Sequence, residues 1–167
     1  MNDYIKSLLD RYRTAGILID TNILLLYYIG SFNIDLIPKF KNTQQFVVED
    51  YYTLLRIFKH FEQIVTTPNI MTEVSNLSAQ LGEPLKQDYF KTFADRISLL
   101  DEHYLSSKDI ARMDEFTRFG LTDAAILKLV QAKYLVLTDD FRLSQYLQTK
   151  SVDVLNFNHI RTFYWVW

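Results

Sequence analysis

Gly16-Ile17-Leu18-Ile19-Asp20-Thr21-Asn22-Ile23-Leu24-Leu25-Leu26-Tyr27-Tyr28-Ile29-Gly30 is the stretch on which the fold turns. Its first four residues are apolar at consecutive positions, the pattern of a strand covered on both faces in a parallel sheet. Asp20 ends that run, and Ile23 to Gly30 reads as a helix that is apolar all round and closed by Gly30. A carboxylate therefore stands where a strand hands over to a helix.

The same grammar recurs downstream. Gln63 to Thr67 reads as a second strand, after which Thr67 serves as N-cap with Pro68 at the first helical position. Ile70, Val74, Leu77 and Leu81 keep one apolar stripe on that helix until Gly82. Tyr134 to Leu137 is another apolar strand. It ends in Thr138-Asp139-Asp140, ahead of a helix over Phe141 to Thr149 and a last strand over Val152 to Phe157. Between these, helical periods run over Asp50 to Phe61, Pro84 to His103 and Ser106 to Phe119. Gly120 breaks the last of them, and Thr122 caps a further helix through Ala132 with Asp123 in its first turn. Ser31 to Asp50, with Pro38 and a polar run from Lys41 to Gln45, reads as an irregular insertion or cap. Apolar strands alternating with helices predict one α/β domain over residues 1–167. Its expected form is a three-layer α/β/α sandwich with a mostly parallel central sheet.

Composition narrows the chemistry. The 167 residues are 49% hydrophobic and 23% charged, which is the balance of a folded domain and not of a disordered chain. Zero Cys excludes disulfides, thiolate zinc sites, iron–sulfur clusters and a cysteine nucleophile. His60, His103 and His159 have no ligand spacing, so any metal-binding chemistry falls to oxygen. The amino terminus is charged at Asp3, Lys6, Asp10, Arg11 and Arg13, and the longest apolar run, Ile23 to Ile29, is far below the roughly 20 residues of a membrane span. The expectation is a cytoplasmic protein with no membrane segment. Neither a GxxxxGK[ST] loop nor a GxGxxG turn occurs, which argues against a nucleotide-dependent enzyme.

Two apolar strands thus end in Asp at their carboxyl ends, the edge of an open parallel sheet where ligand sites form. Glu73 lies one residue before Val74 on its helix, beside the buried stripe, so its carboxylate can point into a cleft above the sheet. Converging carboxylates without cationic partners repel one another and raise each other's pKa, a conflict that a divalent cation resolves. An oxygen-only ligand set favours a hard ion, Mg²⁺ or Mn²⁺.

These residues carry a family resemblance. Ile19-Asp20-Thr21-Asn22-Ile23-Leu24 resembles the opening motif of the PIN domain family, whose first strand ends in Asp-Thr-Asn. Glu73, Leu121-Thr122-Asp123-Ala124-Ala125-Ile126 and Leu137-Thr138-Asp139-Asp140 are similar to its second, third and fourth motifs, in that order. The resemblance implies a metal-dependent endoribonuclease with Asp20, Glu73, Asp123 and Asp140 as catalytic acids and ligands to Mg²⁺ or Mn²⁺. The family's Thr-any-Asp spacing selects Asp140 as the fourth acid, and a one-residue shift selects Asp139. Asn22, Thr138 and Asp139 are expected to orient ligands or water. One branch of the family consists of toxins blocked by a small antitoxin-like protein, which makes such a partner an expectation beside the RNA substrate. A PIN-like module that binds RNA or protein without cleaving is the competing reading.

With the four acids set aside, the net charge of -2 becomes +2, a mildly basic remainder suited to short phosphate contacts. Arg142, just past Asp140, is the cation best placed for substrate, and Arg118 and Lys128 flank the third motif. Most of the 11 Tyr and 12 Phe lie at helical spacing and read as core. The tail over 160–167, with Phe163-Tyr164-Trp165-Val166-Trp167, is expected to pack on the domain or to help form a homodimer.

Overall fold

The structure is a computed structural model that describes residues 3–131 and 133–164. In chain order it forms α1 (Asp3–Arg11), β1 (Ile17–Ile19), α2 (Thr21–Phe32), a 3₁₀ turn (Ile34–Leu36), α3 (Val48–Phe58), β2 (Ile64–Thr66), α4 (Pro68–Ser78) and α5 (Leu85–Ile97). Then follow β3 (Asp101–Glu102), α6 (Ser107–Ile110), α7 (Phe116–Val130), β4 (Leu135–Thr138), α8 (Phe141–Thr149), β5 (Val154–Asn156) and α9 (Phe157–Tyr164). The sheet has five strands in the order β3-β2-β1-β4-β5, and every pairing is parallel. The expected α/β/α architecture with a parallel sheet is what the chain adopts.

This order places β1 at the centre and makes the chain reverse direction beside it. The chain steps outward from β1 to β2 to β3, then returns to the other side of β1 with β4 and β5. The boundary between β1 and β4 is therefore a topological switch point, where the connections leaving two neighbouring strands part and open a crevice. Ile19 pairs with Leu137 at that boundary, so the acids that follow the two strands emerge side by side.

Both central strands are buried along their whole length, which explains their unbroken apolar runs. The all-round apolar character of α2 has the same cause: it packs against α3, α4 and α5 as well as β4, and Ile23, Leu24, Leu25, Leu26 and Ile29 are fully buried. Gly30 does not close this helix, which continues to Phe32. Its role is steric, because a Cβ there would run into the ring of Tyr51 from α3.

Other boundaries differ from the sequence reading for identifiable reasons. The helix expected through His103 stops at Ile97, and Asp101–Glu102 joins the sheet edge as β3, held by Val65 and Thr66 through backbone pairing alone. The helix expected from Ser106 to Phe119 is instead the single turn α6 followed by a new start at Phe116. The α4 helix ends at Ser78, where the Ser78 hydroxyl hydrogen-bonds the Val74 carbonyl at 2.7 Å, four residues short of Gly82. The last strand is shorter than Val152 to Phe157, because Phe157 already opens α9. Ser31 to Asp50 folds into the wall of the core: Ile37 and Phe46 are fully buried and the Thr43 hydroxyl donates to the Ile37 carbonyl at 2.8 Å. Arg161 of α9 locks this segment by donating to the Gln45 carbonyl at 3.0 Å and pairing with buried Asp50 at 3.3 Å. The aromatic tail expectation rests on the side chains of residues 163–167, which lie outside the described residues. Among the described residues no helix is long and apolar enough to cross a membrane.

Candidate active site

Asp20 leaves β1 in extended backbone and becomes the N-cap of α2, accepting the Thr21 N–H at 2.7 Å on one carboxylate oxygen. The other oxygen accepts the Thr138 hydroxyl at 2.5 Å. Its own N–H donates to the Leu137 carbonyl at 3.0 Å, extending the β1–β4 ladder by one rung and fixing the carboxylate over the switch point. Only 6% of Asp20 is exposed. Burial pushes its carboxyl up to about 7; the Thr138 and Thr21 hydrogen bonds oppose the rise, and the charges of Asp123 and Asp139 add to it.

Thr138 is the hinge between two acids. Its hydroxyl donates to Asp20 and accepts the Asp140 N–H at 2.9 Å, so the end of β4 is tied to the end of β1. Asp140 then caps α8 by accepting the Leu143 N–H at 2.9 Å, which leaves it largely exposed at the mouth of the crevice. Asp139 turns the other way. It accepts the Asn22 amide at 3.2 Å, and its carbonyl accepts the Asn158 amide from α9 at 2.9 Å. Burial raises its carboxyl above the ordinary range, against the pull of Asn22 and Arg161.

Glu73 joins the group from α4. The Thr21 hydroxyl donates to one of its oxygens at 2.9 Å and the Thr122 hydroxyl to the other at 2.6 Å. Glu73 as a residue is exposed, yet both of its carboxylate oxygens are engaged. Thr122, expected as a helix cap, donates its hydroxyl to Glu73.

Asp123 is set by Gly120. The glycine adopts φ 79° and ψ -172°, a region essentially closed to other residues, and breaks α7 so that Leu121 opens a fresh helical stretch. That restart puts Thr122 and Asp123 in a first turn facing the sheet edge. Burial pushes the Asp123 carboxyl up to about 6, with Asp140 and Glu73 adding to the rise and Arg142 opposing it.

All four expected acids thus act on one another: Asp20 with Asp123 and Asp139, and Asp123 with Asp140 and Glu73. Arg142 belongs to this electrostatic neighbourhood and donates to the Arg118 carbonyl at 3.2 Å, which brings Arg118 alongside. Lys128 does not join them. Five residues beyond Asp123 on a helix, it projects about 140° round the axis from it. Thr21, Thr122 and Asn158 are further site residues; the first two could have been found as hydroxyls adjoining the acids, and the last lies one residue past the expected strand Val152 to Phe157, in α9.

The donor chemistry suits a hard divalent ion, since carboxylate and hydroxyl oxygens meet at the crevice and the chain has no cysteine. Burial first, and neighbouring carboxylates second, raise the carboxyls of Asp20 and Asp123; an ion bound there would favour their charged forms. Among the described residues, however, no three His, Asp or Glu side chains stand close enough to hold an ion as they are oriented. No protein-family model, no curated protein and no solved structure matches this chain.

Proposed function

We propose that this chain is a PIN-like, divalent-cation-dependent endoribonuclease. The observation that supports the reading best is the gathering of carboxylates from the ends of β1 and β4 and from α4 and α7 at the carboxyl edge of the sheet's switch point, with buried Asp20 and half-buried Asp123 both raised in pKa. Mutually repelling buried acids oppose folding, and a cation-dependent reaction is a physical reason to keep them.

Asp20, Glu73, Asp123 and Asp140 are the residues that would hold Mg²⁺ or Mn²⁺. Bound there, the ion supplies Lewis-acid polarisation of the phosphate and lowers the pKa of an attacking water. The chain's own residues prepare the place. Thr138 and the Thr21 N–H fix both oxygens of Asp20. Thr21 and Thr122 hold Glu73 across the crevice, and Asn22 fixes Asp139. Each tether leaves lone pairs on the carboxylate oxygens for further interaction. Arg142 and Arg118 offer positive charge at the rim for the scissile phosphate's neighbours. An antitoxin-like protein that covers the crevice, and a homodimer through the aromatic tail, are partners consistent with this reading.

The test is cleavage of fluorescent single-stranded RNA in Mn²⁺, in Mg²⁺ and in EDTA, with Asp20→Asn beside the wild type. Cation-dependent cleavage that the substitution abolishes by at least about a hundredfold is the expected result. One observation favours a second reading, a module that binds RNA without cutting it: the acids are engaged by threonines and not drawn onto one point. Binding without cleavage in any cation would select that reading.

A further inference from the structure

A cavity of about 580 Å³ lies against the outer edge of the sheet, among residues of α1, α8, β5 and α9. Buried Ile5, Leu155 and Ile160 supply its apolar part, and Gln148, Asn156 and Asn158 bring carboxamides to it. Among the described residues that line it there is no Asp, Glu, Lys or Arg. Asn156 is only 7% exposed, and half of its carboxamide is spoken for, because Oδ1 accepts the Asn158 N–H at 3.0 Å. Among the described residues its amide nitrogen has no partner, and it is not one of the side-chain atoms sealed in the core without one. A buried residue of the lining thus keeps a donor free.

The strand beside it keeps more. β5 pairs with β4 and has no second neighbour in the sheet. The Val136 N–H donates to the Asp153 carbonyl at 3.2 Å, and residues facing the partner alternate in a parallel ladder, so the main-chain N–H and carbonyl of Val154 point away from β4. Val154 lines the cavity too. A donor and an acceptor side by side on one residue match an amide, or the edge of a heteroaromatic ring that carries the same pair reversed. Tyr4 of α1 and Gln148 of α8 stand along the same edge, which leaves room for a small molecule and not for an added strand. An ion would enter this uncharged lining at a desolvation cost that nothing repays.

We propose that this cavity binds a small uncharged heteroaromatic molecule with an amide-like edge, of the nucleobase or nicotinamide class, and that its occupancy reaches the acidic crevice through Asn158. That residue belongs to both places. Its N–H is held by Asn156, and its side-chain amide donates to the Asp139 carbonyl at 2.9 Å. Asp139 in turn accepts the Asn22 amide at 3.2 Å, so three hydrogen bonds in series join the cavity to the first turn of α2. A ligand that draws on the Asn156 carboxamide acts on the first of them. The binding stands on the cavity alone; the coupling rests on the nuclease reading for its consequence and deepens it by naming the class of ligand that would regulate that site.

The test is calorimetry and ¹⁵N NMR on the full chain in EDTA, with adenosine, nicotinamide and AMP as probes; AMP stands for a base carried on a phosphate, as in RNA. At least one uncharged probe is expected to bind with a Kd of about 1 mM or tighter, and AMP about tenfold more weakly, since its phosphate finds no cation. Asn156→Asp keeps an oxygen for the Asn158 N–H and removes the amide donor, so it should weaken binding about tenfold. A melting curve checks that this variant is folded. In wild type, whatever the variant does, binding should move the resonances of the Val154 N–H and the Asn156 amide, and that of the Asn22 amide at the far end of the series. No binding by either uncharged probe, AMP binding as tightly as the better of them, a folded Asn156→Asp that binds like wild type, or shifts that miss Val154 and Asn156 would overturn the proposal, and an unmoved Asn22 would overturn the coupling. Binding of an uncharged probe without RNA cleavage in any cation would uphold the cavity while the nuclease reading falls, and cleavage with no probe bound would do the reverse.

Discussion

The Thr122 hydroxyl donates to a Glu73 oxygen at 2.6 Å, joining two helices that enter the crevice from different sides of the sheet order. With the Thr21 hydroxyl on the other oxygen, the carboxylate is clamped between the first turn of α2 and the restart of α7. Residues that orient a ligating carboxylate commonly tune affinity for the ion by about 10- to 100-fold. Thr122→Val, which keeps the shape and removes the hydroxyl, should lower Mn²⁺ affinity by that order in a calorimetric titration, and Thr122→Ser should recover most of it. Equal affinities for the Val variant and wild type would show that the clamp is irrelevant to the ion.

The raised carboxyls make a prediction about pH. Asp20 titrates at about 7 and Asp123 at about 6 in the folded chain, both above the unfolded value of 3.8. Between the unfolded and folded values the native state binds more protons, so stability from these groups falls as pH rises through that window. In EDTA, wild type should melt at a higher temperature at pH 5 than at pH 8, and Mg²⁺ or Mn²⁺ should raise the melting point most at pH 8. A metal-free melting point that climbs steadily from pH 5 to 8 would contradict the assignment.

Asp20→Asn isolates the largest contribution to that dependence. The amide keeps an acceptor for Thr21 or Thr138 and removes the buried charge. In EDTA at pH 8 the variant should equal or exceed wild type in stability, with the advantage vanishing toward pH 4, where both side chains are neutral. For a chain of this size each kcal/mol corresponds to about 2–4 °C in melting temperature. Cation-dependent activity should be lost over the same range in which stability is gained.

Gly120→Ala tests the backbone that delivers Asp123. There is open space around the position, so an added methyl meets no atom; the cost is conformational and arises from φ 79°. A destabilisation of about 1–3 kcal/mol in urea unfolding is expected, together with weaker cation binding, because relief of the strain would shift Thr122 and Asp123. Gly30→Ala has the opposite cause. Its backbone is helical and alanine is the better helix former, but the methyl would collide with Tyr51, so overpacking of about 1–3 kcal/mol should outweigh the gain in propensity of about 1 kcal/mol. The double variant with Tyr51→Leu should recover much of that loss.

The parts of this architecture that the sequence reveals are those where one physical cause dominates. Leu135, Val136 and Leu137 must be apolar because both faces of β4 are covered, and Thr67-Pro68 announces a helix start by its hydrogen-bonding chemistry alone. β3 is invisible by the same logic. It is two residues at the edge, both acidic, and its pairing uses only backbone groups that any residue supplies. The acids themselves are legible as strand and helix ends, and Thr138 as the residue ahead of two of them, whereas the pairing of Thr21 and Thr122 with Glu73 is not, since it depends on how α2, α4 and α7 approach one another. Gly30 is the clearest misreading: a glycine near a helix end signals termination when only local conformation is considered, and here the reason for it is a ring from α3.

The pairing of β1 with β4 also bears on when the crevice comes into being. Thr138 reaches Asp20 across 118 residues of chain, and the rung from Asp20 to Leu137 spans one fewer. Contacts of such separation form late, after closure of a long loop, and none can form before the later partner has been synthesised. During translation Asp20 emerges before its partners, beside an unpaired edge of β1, and the crevice assembles only once residues 138–140 have followed. The strand order thus acts as a timer: a growing chain carries the first acid of the site through the synthesis of more than a hundred further residues without the site itself.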